Sequence, residues 1–129
     1  MHFVSKCRFD PVFIFCFYSG EERELAPAEK WVARYNGPGN GADTASAIAV
    51  DGAGNVFVTG TSQFSNTLDD YLTVKYDTNG KRLWVKRYNG PANSNDCARA
   101  NAVDGSGNLH VTGRSKGLST GEDYATIKY

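Results

Sequence analysis

Short apolar runs alternate with glycine-containing polar turns along most of this chain, and the alternation predicts hairpins of β-strands. The run A-S-A-I-A-V at Ala45–Val50 is joined by D-G-A-G to N-V-F-V-T at Asn55–Thr59. In a D-x-x-G turn the aspartate caps the turn and the glycine takes a positive φ. Asp77–Gly80 has the same form and joins Tyr71–Tyr76 to Arg82–Tyr88. We therefore predict two hairpins, or four strands, in this stretch.

The pattern repeats with a period of 53 residues. W-V-A-R-Y-N-G-P at Trp31–Pro38 returns as W-V-K-R-Y-N-G-P at Trp84–Pro91, and 27 of the 46 positions aligned in this way are identical. A fixed period of this length is typical of a solenoid or propeller, and roughly 40 to 55 residues with four antiparallel strands make one propeller blade. We predict an all-β fold, a partial β-propeller of about two four-stranded antiparallel blades.

Alternation along the predicted strands gives each blade two faces. Leu72 and Val74 are expected to point to one side, and Tyr71 and Thr73 to the other. Both sides then carry apolar groups, as expected of a sheet packed between two neighbours. The first strand is predicted to have a face of small residues opposite Ile48, made of Ala45, Ala47 and Ala49.

Residues 1–30 precede the repeats and are treated as a separate leader. V-F-I-F-C-F-Y at Val12–Tyr18 resembles the apolar core of a signal peptide, but Asp10 and Pro11 interrupt it. The run is far shorter than the roughly 20 residues of a membrane span. We divide the chain into a poorly ordered or weakly signal-like leader (1–30) and β-propeller repeats (31–129), with repeat 1 at 31–83 and an incomplete repeat 2 at 84–129.

The repeats resemble the SBBP β-propeller repeat family. The strings that carry the resemblance are I-A-V-D-G-A-G-N-V-F-V-T-G at Ile48–Gly60, Y-D-T-N-G-K-R-L-W-V-K-R-Y-N-G-P at Tyr76–Pro91 and A-V-D-G-S-G-N-L-H-V-T-G at Ala102–Gly113. The resemblance implies four-stranded blades in a prokaryotic, often secreted or cell-surface protein, and it supplies no catalytic residues. We therefore expect a noncatalytic module for binding or structural interaction, located outside the cell or at its surface.

Charge and cysteine content exclude several classes of protein. Lys plus Arg equals Asp plus Glu at 14 each, which removes the broad positive field expected of a nucleic-acid partner. The three cysteines give neither a disulfide framework nor a zinc spacing. Since no catalytic constellation is apparent, we expect no enzyme activity, no cofactor and no resident metal.

Three motif matches lack the context that their chemistry needs. G-L-S-T-G at Gly117–Gly121 matches the nucleophile elbow, which requires a strand that turns sharply into a helix. G-P-G-N-G at Gly37–Gly41 resembles a dinucleotide loop but precedes a predicted strand rather than a helix. D-x-x-G-N offers too few oxygens for Ca²⁺, which takes about six to eight. Asp43 and Asp96, in asparagine-rich loops, leave a weak ion site open.

Residues that recur in both copies are assigned to the structure of the blade, and residues that differ are candidates for specificity. The recurring set is Trp31, Trp84, Asp51, Asp104, Gly54, Gly107, Tyr71 and Tyr124. The recurring cations are expected to have a role within the blade, such as packing of their aliphatic stems and cation contacts with Trp31, Trp84 or tyrosine rings. They are Arg34, Arg87, Lys75 and Lys128. The second copy is more basic, and its candidate ligand surface is Arg99, His110, Arg114 and Lys116.

The ends of the array suggest a partner. Trp31–Tyr35 is equivalent to the fourth strand Trp84–Tyr88, and the second blade ends at Tyr129 after its third strand. We expect Trp31–Tyr35 of one chain to complete the blade of a neighbour, so that about three or four chains form a ring. A longer array that supplies further blades is the competing account.

Two other functions stay open. Recurring Trp and Tyr could stack on sugars, which gives a carbohydrate-binding propeller formed by oligomerisation, with a protein or glycan ligand. D-x-x-G-x-x-L-W at Asp77–Trp84 resembles, remotely, the blade motif of a quinone-dependent dehydrogenase propeller.

Overall fold

The computed structural model describes residues 6–9, 14–17, 26–64 and 68–129. Within these ranges the regular elements are nine β-strands in three antiparallel sheets, and no described residue is helical, which confirms the all-β prediction. The strands are β1 (Lys6–Phe9), β2 (Ile14–Phe17), β3 (Asp43–Val50), β4 (Val56–Phe64), β5 (Leu68–Tyr76), β6 (Arg82–Tyr88), β7 (Cys97–Val103), β8 (Leu109–Lys116) and β9 (Glu122–Lys128).

The first blade is a four-stranded sheet with the order β3-β4-β5-β6. The β3–β4 turn forms because Asp51 Oδ1 accepts a hydrogen bond from the backbone N–H of Asn55 at 2.8 Å. Gly54 closes the turn with φ at +83°, a conformation that a residue with a Cβ rarely adopts. Asp77 and Gly80, with φ at +78°, build the β5–β6 turn in the same way. The structure therefore contains both predicted hairpins. Strands β3, β4 and β5 are longer than the predicted runs, and β6 coincides with Arg82–Tyr88.

The second blade has three described strands in the order β7-β8-β9. They pair as β3, β4 and β5 do: Ala47 lies opposite Thr59 in the first sheet, and Ala100 lies opposite Thr112 in the second. One edge of β9 pairs with β8, and no described strand lies on its other edge. The described chain is thus a partial propeller, with one blade of four strands and one of three.

A β-bulge in the first strand of each blade corrects the predicted face of small residues. The register of β3 shifts between Ala45 and Ala47, so one extra residue returns Ala45 to the side of Ile48. A Cβ on Gly60, which lies opposite Ala45, would be 1.9 Å from a backbone carbonyl oxygen. The prediction that Ala45, Ala47 and Ala49 share one face is wrong, because strict alternation ends at the bulge.

Apolar side chains cover both faces of the first sheet. On one face Phe57 and Tyr71, each 1% exposed, pack against the second sheet. The residues that meet them there are Ala98, Leu109 and Val111. The opposite face carries a second cluster of Leu72, Val74 and Tyr76. The opposed directions predicted for Tyr71 and Leu72 are therefore confirmed.

Residues 31–35 carry the side chains of a fourth strand but pair with no described strand. Their packing nevertheless repeats that of β6, because the ring centroids of Trp31 and Tyr76 lie 6.1 Å apart and those of Trp84 and Tyr129 lie 5.8 Å apart. The strand predicted here does not form, since a strand needs a neighbour for its ladder hydrogen bonds. Segment 31–35 thus lies on the first sheet as β6 lies on the second.

Strands β1 and β2 lie in the predicted leader and form a sheet of their own, with Lys6 opposite Phe17 and Phe9 opposite Ile14. Residues 26–30 form neither helix nor strand. The other leader residues, including parts of the signal-like run, lie outside the described residues. The division at residue 30 therefore stays a prediction.

Candidate interaction surface

The contact between the first and second sheets, here called the inner interface, shows how one blade of this chain packs on the next. Phe57 and Tyr71 project into it from the first sheet. The Tyr71 hydroxyl donates a hydrogen bond to the Ala125 carbonyl oxygen at 3.4 Å, and burial raises the pKa of Tyr71 to about 12. Asn101 Nδ2 donates to the Phe57 carbonyl oxygen at 3.4 Å. These buried aromatic side chains and polar contacts help to hold the blades together.

Strand β6 completes the inner interface from the side. The Trp84 ring lies 6.0 Å from Phe57 and 5.8 Å from Tyr129, and the Tyr88 ring meets Tyr71 edge-on at 5.3 Å, measured between ring centroids. Trp84 therefore contacts one ring of its own sheet and one ring of the next sheet. The fourth strand of a blade therefore makes stabilising contacts with its own blade and with the next one.

The second sheet carries the same pattern of side chains on its far side, here called the outer face. Directly opposite residues of an antiparallel ladder point to the same side. The ladder of β8 and β9 therefore places six residues on the outer face: His110 with Lys128, Thr112 with Thr126, and Arg114 with Tyr124. Tyr71 is 1% exposed, whereas its repeat equivalent Tyr124 is 86% exposed. The outer face is the repeat equivalent of the surface through which the first sheet packs on the second, and no described residue covers it.

The first sheet has an exposed surface that is equivalent to the one on which Phe57 and Tyr71 pack in the second sheet. A cavity of about 260 Å³, here called the open groove, lies beside segment 31–35 and β3. Its lining includes Ala45, Val56, Val58 and Leu72, which are the repeat equivalents of Ala98, Leu109, Val111 and Ala125. Ala98 is fully buried by the first sheet, whereas Ala45 is exposed and Ile48 is 67% exposed.

Two aromatic residues of segment 31–35 also line the open groove. Trp31 and Tyr35 stand where Trp84 and Tyr88 stand in the inner interface. The open groove therefore resembles the side of the inner interface that receives Phe57 and Tyr71, with Ile48 in the place of Asn101. The inserted aromatic residues have no described counterpart there.

One carboxylate oxygen of Asp43, which lines the open groove, has no hydrogen-bond partner among the described residues. Asp43 Oδ2 accepts the backbone N–H of Gly37 at 2.8 Å, but Oδ1 is buried without a hydrogen-bond partner among the described residues. The equivalent Asp96 uses both oxygens and accepts the N–H groups of Gly90 and Lys116 at 2.6 and 3.1 Å. These contacts close the two asparagine-rich loops, and they leave Asp43 as the carboxylate with a free acceptor.

Three of the four residues predicted as a ligand surface lie along one side of β8. His110, Arg114 and Lys116 alternate along this strand, which places the first and last roughly 20 Å apart at about 3.3 Å per residue. Arg99 instead lies at the bulge of β7. The structure therefore brings three of them to one face without gathering them into a pocket, and their role in binding stays a prediction.

Each blade contains a pair of threonine hydroxyl groups in contact, and neither pair was predicted. The hydroxyl oxygens of Thr59 and Thr73 lie 2.5 Å apart, and those of Thr112 and Thr126 lie 3.0 Å apart. The only signal in the sequence was the recurrence of both threonines. Hydroxyl pairs of this kind link neighbouring strands across one face of a sheet.

Arg87 corrects another expectation. We expected the recurring arginines to contact tryptophan or tyrosine, but the Arg87 guanidinium lies 4.0 Å from the Phe64 ring centroid and forms an ion pair with Asp70. Burial raises the pKa of Asp70, although the positive charge of Arg87 acts in the opposite direction. Asp70 lies next to Tyr71 in the sequence, so this pair stabilises the end of β5 that enters the inner interface.

The turn aspartates have lowered pKa values. The side-chain amide of Asn55 donates to Asp51 at 2.8 Å and that of Asn108 donates to Asp104 at 2.7 Å. These hydrogen bonds are the main reason that both carboxyl pKa values lie below the ordinary 3.8. His110 Nε2, at 3.3 Å from Asp104 Oδ2, contributes to the second shift. Both aspartates therefore act as ionised turn caps.

We expect this capping to make the fold acid-sensitive. A carboxyl whose pKa is lower in the folded state stabilises that state above its unfolded pKa, and the contribution disappears as the pH falls through the folded pKa. Thermal unfolding followed by circular dichroism should show a falling Tm between about pH 5 and about pH 2. Asp51→Asn combined with Asp104→Asn should flatten this dependence, whereas Glu29→Gln, at an exposed position, should leave it unchanged. Equal slopes in all three proteins would contradict the assignment.

The G-L-S-T-G match lies between two strands, which is not the setting that a nucleophile elbow requires. Gly117–Gly121 joins β8 to β9, so Ser119 does not stand between a strand and a helix. Among the described residues no group of three or more His, Cys, Asp or Glu could hold a metal ion. A search of the described residues for a membrane-spanning helix also found none.

Comparison with known proteins identifies the repeat. No curated protein matches this chain. The family model described as Beta-propeller repeat, SBBP, matches residues 30–66, which contain segment 31–35, β3 and β4. This part of the chain is therefore similar to the SBBP β-propeller repeat.

Proposed function

We propose that this chain is a noncatalytic β-propeller repeat module that acts by binding other propeller blades, including those of its own copies. One observation carries the proposal: the outer face and the open groove are the repeat equivalents of the two surfaces that already pack together at the inner interface. Large exposed apolar patches mark protein interaction sites, and the open groove has a mainly apolar lining.

Backbone pairing supports the same assembly. In the first sheet β6 pairs with β5, with Tyr88 opposite Tyr71. The repeat equivalent of Tyr88 is Tyr35, and that of Tyr71 is Tyr124, so the same pairing between two copies places Tyr35 of one copy opposite Tyr124 of the other. Segment 31–35 lacks a ladder partner among the described residues and β9 has a free edge, which is a template for strand addition. Segment 31–35 of one copy thus adds to β9 of another, and about three or four copies close a ring of about six to eight blades.

The recurring tryptophans favour assembly over the carbohydrate-binding alternative. Trp31 packs on Tyr76 and Trp84 packs on Tyr129, so both rings are already engaged in contacts between blades. Their recurrence therefore needs no sugar to account for it. The resemblance to repeats of often secreted proteins supports a location outside the cell or on its surface.

The solution mass of the full chain tests the proposed function. Light scattering over a range of concentrations should show a discrete oligomer rather than a monomer or a continuous series of aggregates. A chain that keeps its β-type circular dichroism and stays monomeric at every concentration would refute assembly.

Two proline variants of segment 31–35 provide matched controls for each other. Only alternate residues of an antiparallel strand donate to a given neighbour, and proline has no N–H to donate. Of Val32→Pro and Ala33→Pro, one should therefore weaken the oligomer markedly while the other changes it little. Equal and unchanged masses for both variants would show that segment 31–35 does not add as a strand.

A further inference from the structure

We infer that two copies of this chain bind head to tail, with Tyr124 of one copy inserted into the open groove of the other. This inference rests on the proposed function and names the contact through which it operates. The interface is continuous with the inner interface, since it is the same contact displaced by one repeat of 53 residues.

The surroundings of Tyr71 specify what Tyr124 should meet. Tyr71 packs in one cluster with Ala98 and donates a hydrogen bond to the Ala125 carbonyl oxygen at 3.4 Å. Displaced by one repeat, these partners are Ala45 and Leu72 of the second copy, and both line the open groove. The groove holds no described side chain at that place. An aromatic side chain of this kind buries about 150 to 250 Å², which makes it a strong anchor.

Charge complementarity supports the same pairing. The Asp96 carboxylate lies close enough to Tyr71 to raise the pKa of its hydroxyl, together with the larger effect of burial. The repeat equivalent of Asp96 is Asp43, whose Oδ1 is buried without a partner among the described residues. Arg114 lies directly opposite Tyr124 in the β8–β9 ladder. Within its own copy the Arg114 guanidinium pairs with Glu122 at 2.6 Å. Inserting Tyr124 brings this guanidinium toward the end of the groove where the unpaired carboxylate oxygen lies.

His110 sets the affinity below that of the inner interface. It stands in the place of Phe57, which packs against Leu109 and Val111. In the contact between copies, the polar imidazole of His110 would be buried against Val56 and Val58, where the inner interface buries the apolar ring of Phe57. Burying a polar ring in this way costs free energy. His110→Phe should therefore tighten the contact between copies by about tenfold or more.

A mixing experiment tests the direction of binding. Tyr124→Ala removes the anchor. Ile48→Lys places a cation at the exposed rim of the groove, at the position whose repeat equivalent Asn101 contacts the Phe57 carbonyl oxygen across the inner interface. Both positions are exposed, at 86% and 67%, so both variants should keep the fold, as checked by circular dichroism. Each variant alone should self-associate roughly 30-fold or more weakly than the wild type. Mixed together, they should form a 1:1 dimer and nothing larger, because each copy retains one intact half of the interface.

The outcomes separate this inference from the proposed function. Leu118→Ala, at an 80% exposed position in the β8–β9 connection, serves as the control and should associate like the wild type. If the wild type assembles and Tyr124→Ala assembles equally well, the groove contact is wrong while the module still binds other blades. A mixture that stays monomeric also overturns the head-to-tail arrangement. A wild type that never assembles removes both proposals.

Discussion

Tyr71→Ala should lower the free energy of unfolding by about 3 to 5 kcal/mol, the range seen when a large buried aromatic side chain is truncated. Tyr71 is 1% exposed and reaches from the first sheet into the second. Its loss removes apolar contacts with both sheets, leaves a cavity between them and deletes the hydrogen bond to the Ala125 carbonyl oxygen. Urea unfolding followed by circular dichroism gives the change.

Tyr124→Ala is the matched control, because the same residue type occupies the same place in the other repeat. Tyr124 is 86% exposed, so its truncation should change stability by about 0.5 kcal/mol or less. Both variants are measured at dilutions where the chain is monomeric, since association would add stability to the wild type. Equal losses in the two variants would contradict the assignment of Tyr71 to the inner interface.

Gly60→Ala should destabilise the chain by about 3 kcal/mol, at the upper end of the usual effect of overpacking. The added Cβ would lie 1.9 Å from the Thr44 carbonyl oxygen, a backbone atom that cannot rotate away. Gly113→Ala meets the carbonyl oxygen of Cys97 at 2.1 Å and should behave alike. Either substitution forces the bulge to open and disturbs the first strand of its blade.

Turn glycines provide the control for this prediction. A Cβ at Gly52 or Gly105 would meet no atom within 4 Å. Alanine at these positions should be neutral or should stabilise the fold by up to about 1 kcal/mol, through the reduced entropy of the unfolded chain. Chemical denaturation of the four single variants checks the contrast. Similar losses at Gly60 and Gly52 would show that the bulge tolerates a side chain.

The hairpins were predictable because their causes are local. Asp51 and Gly54 fix one turn through their own side-chain and backbone chemistry, and Asp77 and Gly80 repeat it. The antiparallel direction of the strands follows from the short turns. The two faces of β5 follow from alternation, which holds wherever the ladder is regular. The repeat then extends one blade to two, since the same local causes recur 53 residues later.

The bulge was not predictable by alternation, although a signal was present. Its cause is a contact between Gly60 on β4 and the backbone of β3, and such a contact depends on how two strands pair. Gly60 and Gly113 are strand glycines that recur, and a glycine inside a strand often marks a bulge or a close backbone approach. That reading would have placed Ala45 on the side of Ile48.

The ligand surface predicted from the sequence stays a prediction, and the sequence comparison behind it had a related limit. Differences between repeats pointed to His110, Arg114 and Lys116, which share the outer side of β8. They did not point to Tyr124, because Tyr71 and Tyr124 are identical residues in the sequence. Only packing distinguishes them, with exposed fractions of 1% and 86%. The same residue type is buried in one blade and exposed in the next, and a comparison of the two repeat sequences cannot reveal that.

The tryptophan that crosses from one blade to the next also has a consequence for how such a chain folds during synthesis. Trp31 and Tyr76 are 45 residues apart, as are Trp84 and Tyr129. Each boundary between blades therefore closes a loop of constant and modest length, and the entropy lost in closing it does not grow with the number of blades. A nascent chain can complete each boundary as soon as the ribosome has released those residues, and a gene that duplicates the unit adds a blade without slowing the folding of those already made.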